Sequence, residues 1–228
     1  MAFAGASGYK LEIVAIQDRS DALTREMVVQ WHEAAVRIFD VDFGDLGLSR
    51  NKGVSEARGE YVAFLDADDL WGETWLARGL DAARNDRRRI VWHPEVNIYF
   101  GAINEIFVHP ESDDDAFDVL SLVAGNRWTA LCLTSREVLM QTPFPALNLA
   151  RSIGFEDWSL YRELLGKGVI HKIVKRTGHL IRTKSQNSLN QANVNAEAIP
   201  TPTLLFRNML PRPSPDPASG SPGPEVDR

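Results

Sequence analysis

Cysteine occurs once in these 228 residues, at Cys132. A single thiol closes no intrachain disulfide, so stability has to come from a packed core, and a reducing compartment suits the chain. Long apolar runs are missing: none approaches the roughly 20 residues that span a bilayer. Basic charge is in deficit, with a formal net charge of −6. That balance argues against a nucleic-acid binder working by phosphate neutralisation. The opening MAFAGASGYK has neither the charged n-region nor the apolar stretch of a secretory signal, and a cytoplasmic location is the expectation. There are no internal repeats. His93 and His109 fall near strand ends without metal-ligand spacing around them, so structural roles are expected for both.

What is present suffices for one core. Hydrophobic residues make up 44% of the chain, enough for a single domain with at most a minor lobe. The composition shifts at Ile199, after which eight of the 12 prolines fall, among Ser, Gly and Asp. Such a segment cannot bury enough apolar surface to order itself. A folded unit over 1–198 and a Pro-rich disordered tail over 199–228 are expected, with Leu204, Leu205 and Phe206 docking ahead of the tail. Arg87, Arg88 and Arg89 form the main basic cluster. A solvated helix end explains it, and peripheral membrane contact is the other reading.

The chain is organised around SRNKGVSEARGEYVAFLDADD, Ser49 to Asp69. Ser49 can cap a short helix with Val54 and Ala57 on its apolar face, and Gly59 suits a left-handed helix end. Tyr61 to Leu65 is a continuous apolar run, the pattern of a strand covered on both faces. Asp66, Asp68 and Asp69 stand at its carboxyl end, where open α/β sheets bind ligands. Three carboxylates so close repel one another unless solvent screens them or a cation is shared. A solvated acidic turn, with Asp69 capping a helix over Leu70 to Leu80, and a cation site are the two readings.

Elsewhere, apolar strands alternate with helices. Leu11 to Ile16 and Arg37 to Asp42 read as strands around a helix over Thr24 to Ala35, whose apolar stripe includes Trp31. A helix over Trp71 to Arg84 precedes strands at Ile90–Trp92 and Val96–Phe100. A helix starts near Ser135, another follows Glu156, and Val169 to Val174 reads as a return strand. This βαβ alternation predicts a mostly parallel sheet flanked by helices.

Asn51-x-Gly53-x3-Ala57-x-Gly59-Glu60-Tyr61, followed by Phe64-Leu65-Asp66-x-Asp68-Asp69, closely resembles the core of family 2 glycosyltransferases, which have the GT-A fold. The resemblance covers about residues 10 to 190 and implies an inverting transfer from a nucleotide-diphosphate sugar, with a UDP-sugar the expected donor. It implies that Asp66 and Asp68 hold Mg or Mn against the diphosphate, with Asn51, Gly53, Asp66 and Lys184 at the nucleotide-sugar. Asp18 falls on the family aspartate that meets the base; turn chemistry and helix capping are the other reading of Asp18 and Ser20. Gln17 and Arg19 depart from the family's acid and glycine.

The second motif is Gly154-Phe155-Glu156-Asp157, matching the family's G-x-E-D, whose aspartate is the catalytic base; Glu156 belongs to the same catalytic pair. Carboxylates at a helix start are also ordinary, because the macrodipole favours them. Trp128, and beside the motif Trp158, are the candidate acceptor-side aromatics. A ring can stack on a sugar, and a core tryptophan is the alternative for Trp128. In the closing segment Lys184 stands where the family has a histidine that completes the metal site, with His179 the weak substitute. A protonated lysine cannot ligate a metal but can offset diphosphate charge.

The acceptor class implied is a glycan, a lipid-linked sugar or a protein. The family's first strand, nucleotide-gripping turn and first helix have no counterpart, and an upstream segment or a partner chain is expected to supply that strand. A non-catalytic binding or scaffold relative is the rival function; Gln17, Arg19 and Lys184 favour it, and the two intact acidic motifs oppose it. A nucleotidyltransferase would need a glycine-rich basic phosphate loop, and none is visible.

Overall fold

The computed structural model describes residues 8–29, 36–185 and 189–209. Strand β1 (Ile13–Asp18), helix α1 (Ala22–Val29) and β2 (Val36–Val41) open the fold, and β1 and β2 pair in parallel. Then come α2 (Leu46–Glu56), β3 (Tyr61–Ala63), β4 (Leu70–Trp71), α3 (Trp75–Asn85), β5 (Ile90–Gly101) and β6 (Glu105–Val108). They are followed by α4 (Ser121–Ala124), β7 (Leu133–Ser135), α5 (Arg136–Gln141), β8 (Ile153–Gly154) and α6 (Glu156–Gly166). The described chain closes with β9 (Ile170–Thr183), α7 (Leu189–Asn195), β10 (Ile199–Pro200) and α8 (Leu204–Met209). Trp31, the end of the expected first helix, and the tail from 210 lie outside the described residues.

The central sheet has the order β3-β7-β5-β9-β4, with β6 on the other part of β5. Its pairing is mixed, where a mostly parallel sheet is expected. Only β5 and β9 run parallel; β3–β7, β5–β7, β5–β6 and β4–β9 are antiparallel. Antiparallel β7 separates β3 from β5, so the simple βαβ alternation does not continue through the centre. The two segments expected at 90–92 and 96–100 are one strand, bent where the register shifts between Pro94 and Val96.

Period-two alternation places the core on both faces of β5. Val91 joins Trp128, Tyr161, Leu160 and Phe144 on one side, while Ile90 and Trp92 join Trp75, Leu80 and Val174 on the other. Cys132 is buried in the first cluster, and burial pushes its thiol up to about 11, so it packs as a small hydrophobe. The fold continues past 198: β10 pairs with β8, and α8 packs on α6 at Gly166, where a Cβ would meet the Leu205 amide.

Several local expectations change. Asp45, not Ser49, caps α2, its carboxylate accepting from Leu48 N at 2.9 Å. The helix ends on extended Ala57 and needs no left-handed Gly59. Leu70 and Trp71 form a strand on β9 rather than the start of a helix, and the next helix begins at Trp75. Asp69 caps nothing there: its buried carboxylate accepts from Arg182 N at 2.7 Å and ties the acidic turn to β9.

Candidate active site

The carboxyl end of β3 runs into the turn that carries the carboxylates, closed by Asp69 N donating to Asp66 O at 3.1 Å. Asp66 faces Arg50, from α2, whose Nη2 donates to both of its oxygens at 3.1 Å. The same guanidinium donates through Nη1 to Glu156 at 2.7 Å. Arg50 and Glu156 are both buried. Burial works against the Arg50 charge, but Asp66, Glu156 and Asp157 outweigh it and hold its pKa above the ordinary arginine value. One arginine thus draws the two acidic motifs, far apart in the chain, into a single cluster.

Asp157 occupies the first turn of α6. Its Oδ2 accepts from Asn126 Nδ2 at 3.0 Å and its Oδ1 from Trp158 N at 2.7 Å. Burial first, then the Glu156 charge, raises its pKa to about 7, against the pull of Arg50. A carboxylate poised near neutrality is suited to take a proton from a hydroxyl. The residue before the pair, Phe155, has φ +54°. That backbone is unfavourable for a bulky side chain, and strain of this kind gathers at functional sites.

Asp68 makes a different contact. Its Oδ2 lies 2.6 Å from Lys184 Nζ, just beyond β9. The acidic turn therefore meets two side-chain cations, Arg50 at Asp66 and Lys184 at Asp68. A Mg or Mn ion expected on these two carboxylates would have to displace both. Among the described residues no three His, Cys, Asp or Glu side chains are grouped to hold a metal, so water or donor phosphate oxygens would have to complete its coordination. His179, the substitute ligand, is buried edge-on against Trp75 with ring centroids 4.8 Å apart. As arranged, the residues do not fit the ion.

The other expected site residues divide. Asp18 accepts from Phe43 N and Gly44 N at 2.9 Å, Asp45 N at 3.1 Å and Ser49 Oγ at 2.8 Å. Burial opposes its charge, yet these donors lower its pKa; it organises the 43–45 loop ahead of α2. Arg19, where glycine is usual, takes φ +53° and pairs with Asp42, so the backbone keeps the conformation a glycine would adopt. Asn51 exchanges two hydrogen bonds with the Phe144 backbone, at 2.8 and 2.9 Å. Gly53 lies against β1, where an added Cβ would make ordinary contact with Ile16.

Trp128 is corrected from acceptor platform to core residue. It is 1% exposed, stacks on His171 with centroids 4.1 Å apart and donates to Pro110 O at 2.9 Å. Trp158 is only partly buried and lines an apolar cavity of about 340 Å³ with Val123, Arg162, Ile199, Pro200 and Phe206. Sequence reasoning misses Arg50 and Asn126. Their signals were the need to neutralise clustered carboxylates and the polar residue two places before Trp128.

The described residues contain no helix long and apolar enough to cross a membrane. Arg88 of the basic cluster is paired with Asp86 and Asp113.

Comparison with known proteins agrees with this architecture. The chain is 37% identical over 95 residues to a cholesterol galactosyltransferase of Borreliella burgdorferi, matching 41% of this chain and 26% of that protein. It therefore spans about a quarter of that relative's length. Staphylococcus aureus TarS, solved with UDP-GlcNAc, superposes with a TM-score of 0.56 at 14% identity, covering 78% of this chain and 51% of that one. GalNAc-T7, solved with UDP, GalNAc and Mn2+, gives 0.53 at 16% identity, covering 81% and 41%. At such identities the likeness shows the shared GT-A fold. The sequence profile of glycosyl transferase family 2 matches residues 3–140, more than half of the chain, and the protein belongs to that family.

Proposed function

We propose that this chain transfers a sugar from a nucleotide-diphosphate sugar, a UDP-sugar first among them, to an acceptor hydroxyl with inversion at the anomeric carbon. The observation that carries the reading is Arg50 bridging Asp66 at the strand end and Glu156 beside Asp157. It ties the turn read as donor-facing to the helix start that carries the residue read as the base, which supports the reading. The UDP-GlcNAc of TarS and the UDP of GalNAc-T7 are the ligands that suggest the donor.

Asp157 takes the acceptor proton as the acceptor oxygen bonds to the anomeric carbon. The bond from that carbon to the phosphate oxygen breaks, and its electron pair leaves with the nucleotide diphosphate. Asn126 holds the base, and Glu156 acts through Arg50 as a positioning residue. Asp18, Asn51 and Gly53 shape the loop and helix beside the nucleotide. The reading places no divalent ion at Asp66 and Asp68, since both already hold a side-chain cation. Trp158 and its apolar cavity are the acceptor side, consistent with a glycan, lipid-linked or protein acceptor that presents a hydrophobic face.

A partner strand belongs to the same reading. Among the described residues, β1 pairs only with β2 and β3 only with β7. Glu12 Oε1, just before β1, accepts from Arg58 N at 2.5 Å and Gly59 N at 3.0 Å, just before β3. Two unpaired edges thus start side by side, and a strand from an upstream segment or a partner chain would join them into one sheet.

The test uses water as the surrogate acceptor. A panel of UDP-glucose, UDP-galactose and UDP-GlcNAc is incubated with the protein, and UDP release and the configuration of the first-formed sugar are followed by NMR. Release of the inverted sugar supports the reading, and retained configuration contradicts the inverting mechanism. Donor binding without any release, with every acceptor class supplied, would favour the scaffold relative.

A further inference from the structure

We propose that Lys184 is the cation of the leaving group, so that the donor diphosphate is bound and released without a divalent metal. The inference rests on the nucleotide-sugar reading above and names the residue that balances its charge.

The acidic turn follows the carboxyl end of β3, where strand-end ligands bind, and two of its three carboxylates already face a side-chain cation. Lys184 Nζ lies 2.6 Å from Asp68 Oδ2. An ammonium has three N–H donors, and this carboxylate takes one. The other two can reach non-bridging phosphate oxygens while Asp68 keeps the stem oriented. Lys184 is 46% exposed, so a ligand can approach it. Beside it opens a cavity of about 420 Å³ lined by Gly101, Ala102, Arg182, Thr183, Lys184 and Ser185. That volume is in the range of small-ligand sites. Arg182 contributes a second cation to the wall and makes no ion pair among the described residues, while its backbone N–H is fixed by Asp69. Two cations along a polar cavity form a site for a diphosphate.

The same geometry disfavours a metal. Asp66 is engaged by both contacts of Arg50 Nη2, leaving Asp68 as the turn's other ion-paired carboxylate. His93, His109, His171 and His179 are all buried in the core, so none of these imidazoles reaches the turn. During transfer the anomeric C–O bond breaks and the diphosphate gains one negative charge. With the diphosphate in this cavity Lys184 faces that charge, and it needs to give up no proton. A charge-assisted hydrogen bond there strengthens as the bond breaks, which is the requirement for stabilising a transition state.

The experiment is calorimetric titration of the full chain with UDP, in EDTA and in Mn, for wild type, Lys184→Ala, Lys184→Arg and Lys184→His. Thermal melting first shows that the variants fold, as expected for a half-exposed side chain. Wild type should bind UDP equally in both buffers, within about twofold. Lys184→Ala should weaken binding in EDTA by about tenfold or more, the scale of one charge-assisted contact. Lys184→Arg should retain most of it, and Lys184→His should gain a dependence on Mn. Binding by wild type that requires Mn, with Lys184→Ala unchanged in EDTA, would overturn the role of Lys184 and leave the transferase reading standing. No binding of UDP, GDP or ADP in either buffer would overturn the nucleotide-sugar reading itself, and this inference with it.

Discussion

Removing Arg50 would strand two carboxylates, and Glu156 is the costly one: its side chain is 6% exposed, while that of Asp66 is 37% exposed. A buried charge left without its partner costs about 3–5 kcal/mol. Arg50→Met should therefore lower unfolding free energy in urea by that order. Arg50→Met combined with Glu156→Gln should recover a good part of it, because the most deeply buried of the stranded charges is then removed as well. Additive losses in the double variant would contradict the bridge. At this scale the acidic residues were legible, since carboxylates in a tight turn call for a countercharge. Which cation answers was not, because Arg50 and Lys184 lie in segments read for their glycines and for a missing histidine. Trp128 was ambiguous for a similar reason: an aromatic beside an apolar segment fits a core and a sugar platform equally until its neighbours are known.

Among elements, α2 carries most of the positioning. Asp45 caps it, Asp18 fixes the loop before it, and Gly47 lets its first turn touch the 145 loop. A Cβ at Gly47 would lie 2.7 Å from Pro145 O and 3.4 Å from Glu156 Cβ. Gly47→Ala must therefore push the start of α2 away from the 145 loop, disturbing the helix that carries Arg50. The expected outcome is a loss of about 1–3 kcal/mol, the range for overpacking, with a larger fall in transfer than in UDP binding. Unchanged melting and turnover would show that the interface yields freely. Periodicity gave β1, β2, the start of β9 and the helices around Leu80 and Leu160, where apolar spacing and burial agree. It misread Leu70 and Trp71, because a two-residue strand has no period. That pair is held by Gly72 N donating to Gly178 O at 2.8 Å, a long-range contact that only the tertiary fold creates.

Over the whole molecule, the unusual feature is four neutral imidazoles in the core. His93 Nε2 and His171 Nδ1 are 2.9 Å apart, and His109 bonds the Pro94 carbonyl at 2.8 Å. Burial lowers His109 to about 4 and His171 and His179 to about 3, and takes His93 well below 6.5. For a base with a depressed folded pKa, the unfolded chain binds the proton first. Stability is complete above about 6.5 and is lost as pH falls toward 4. Asp157, raised to about 7, and Asp69, raised mainly by burial to about 6, work the other way, because the folded state protonates them first. Four imidazoles against two carboxyls leave a net acid sensitivity. Melting temperature should fall between pH 7 and pH 5, and replacing His171 by Asn should flatten the slope by about one proton. A midpoint independent of pH over that interval would contradict the burial of neutral histidines.

The proposed transfer requires Asp157 to act as the base. Asp157→Asn keeps the shape and can keep the contact with Asn126, while it removes the proton acceptor. Turnover of the UDP-sugar that wild type accepts should be measured for both proteins from pH 5 to 9, beside UDP affinity by calorimetry. The wild-type rate should rise through a pKa near 7, since the base works only when ionised. In the variant, turnover should drop on the order of a hundredfold or more and lose that rise, with UDP affinity within about threefold of wild type. A variant that turns over donor at the wild-type rate, with the same pH profile, would contradict the account.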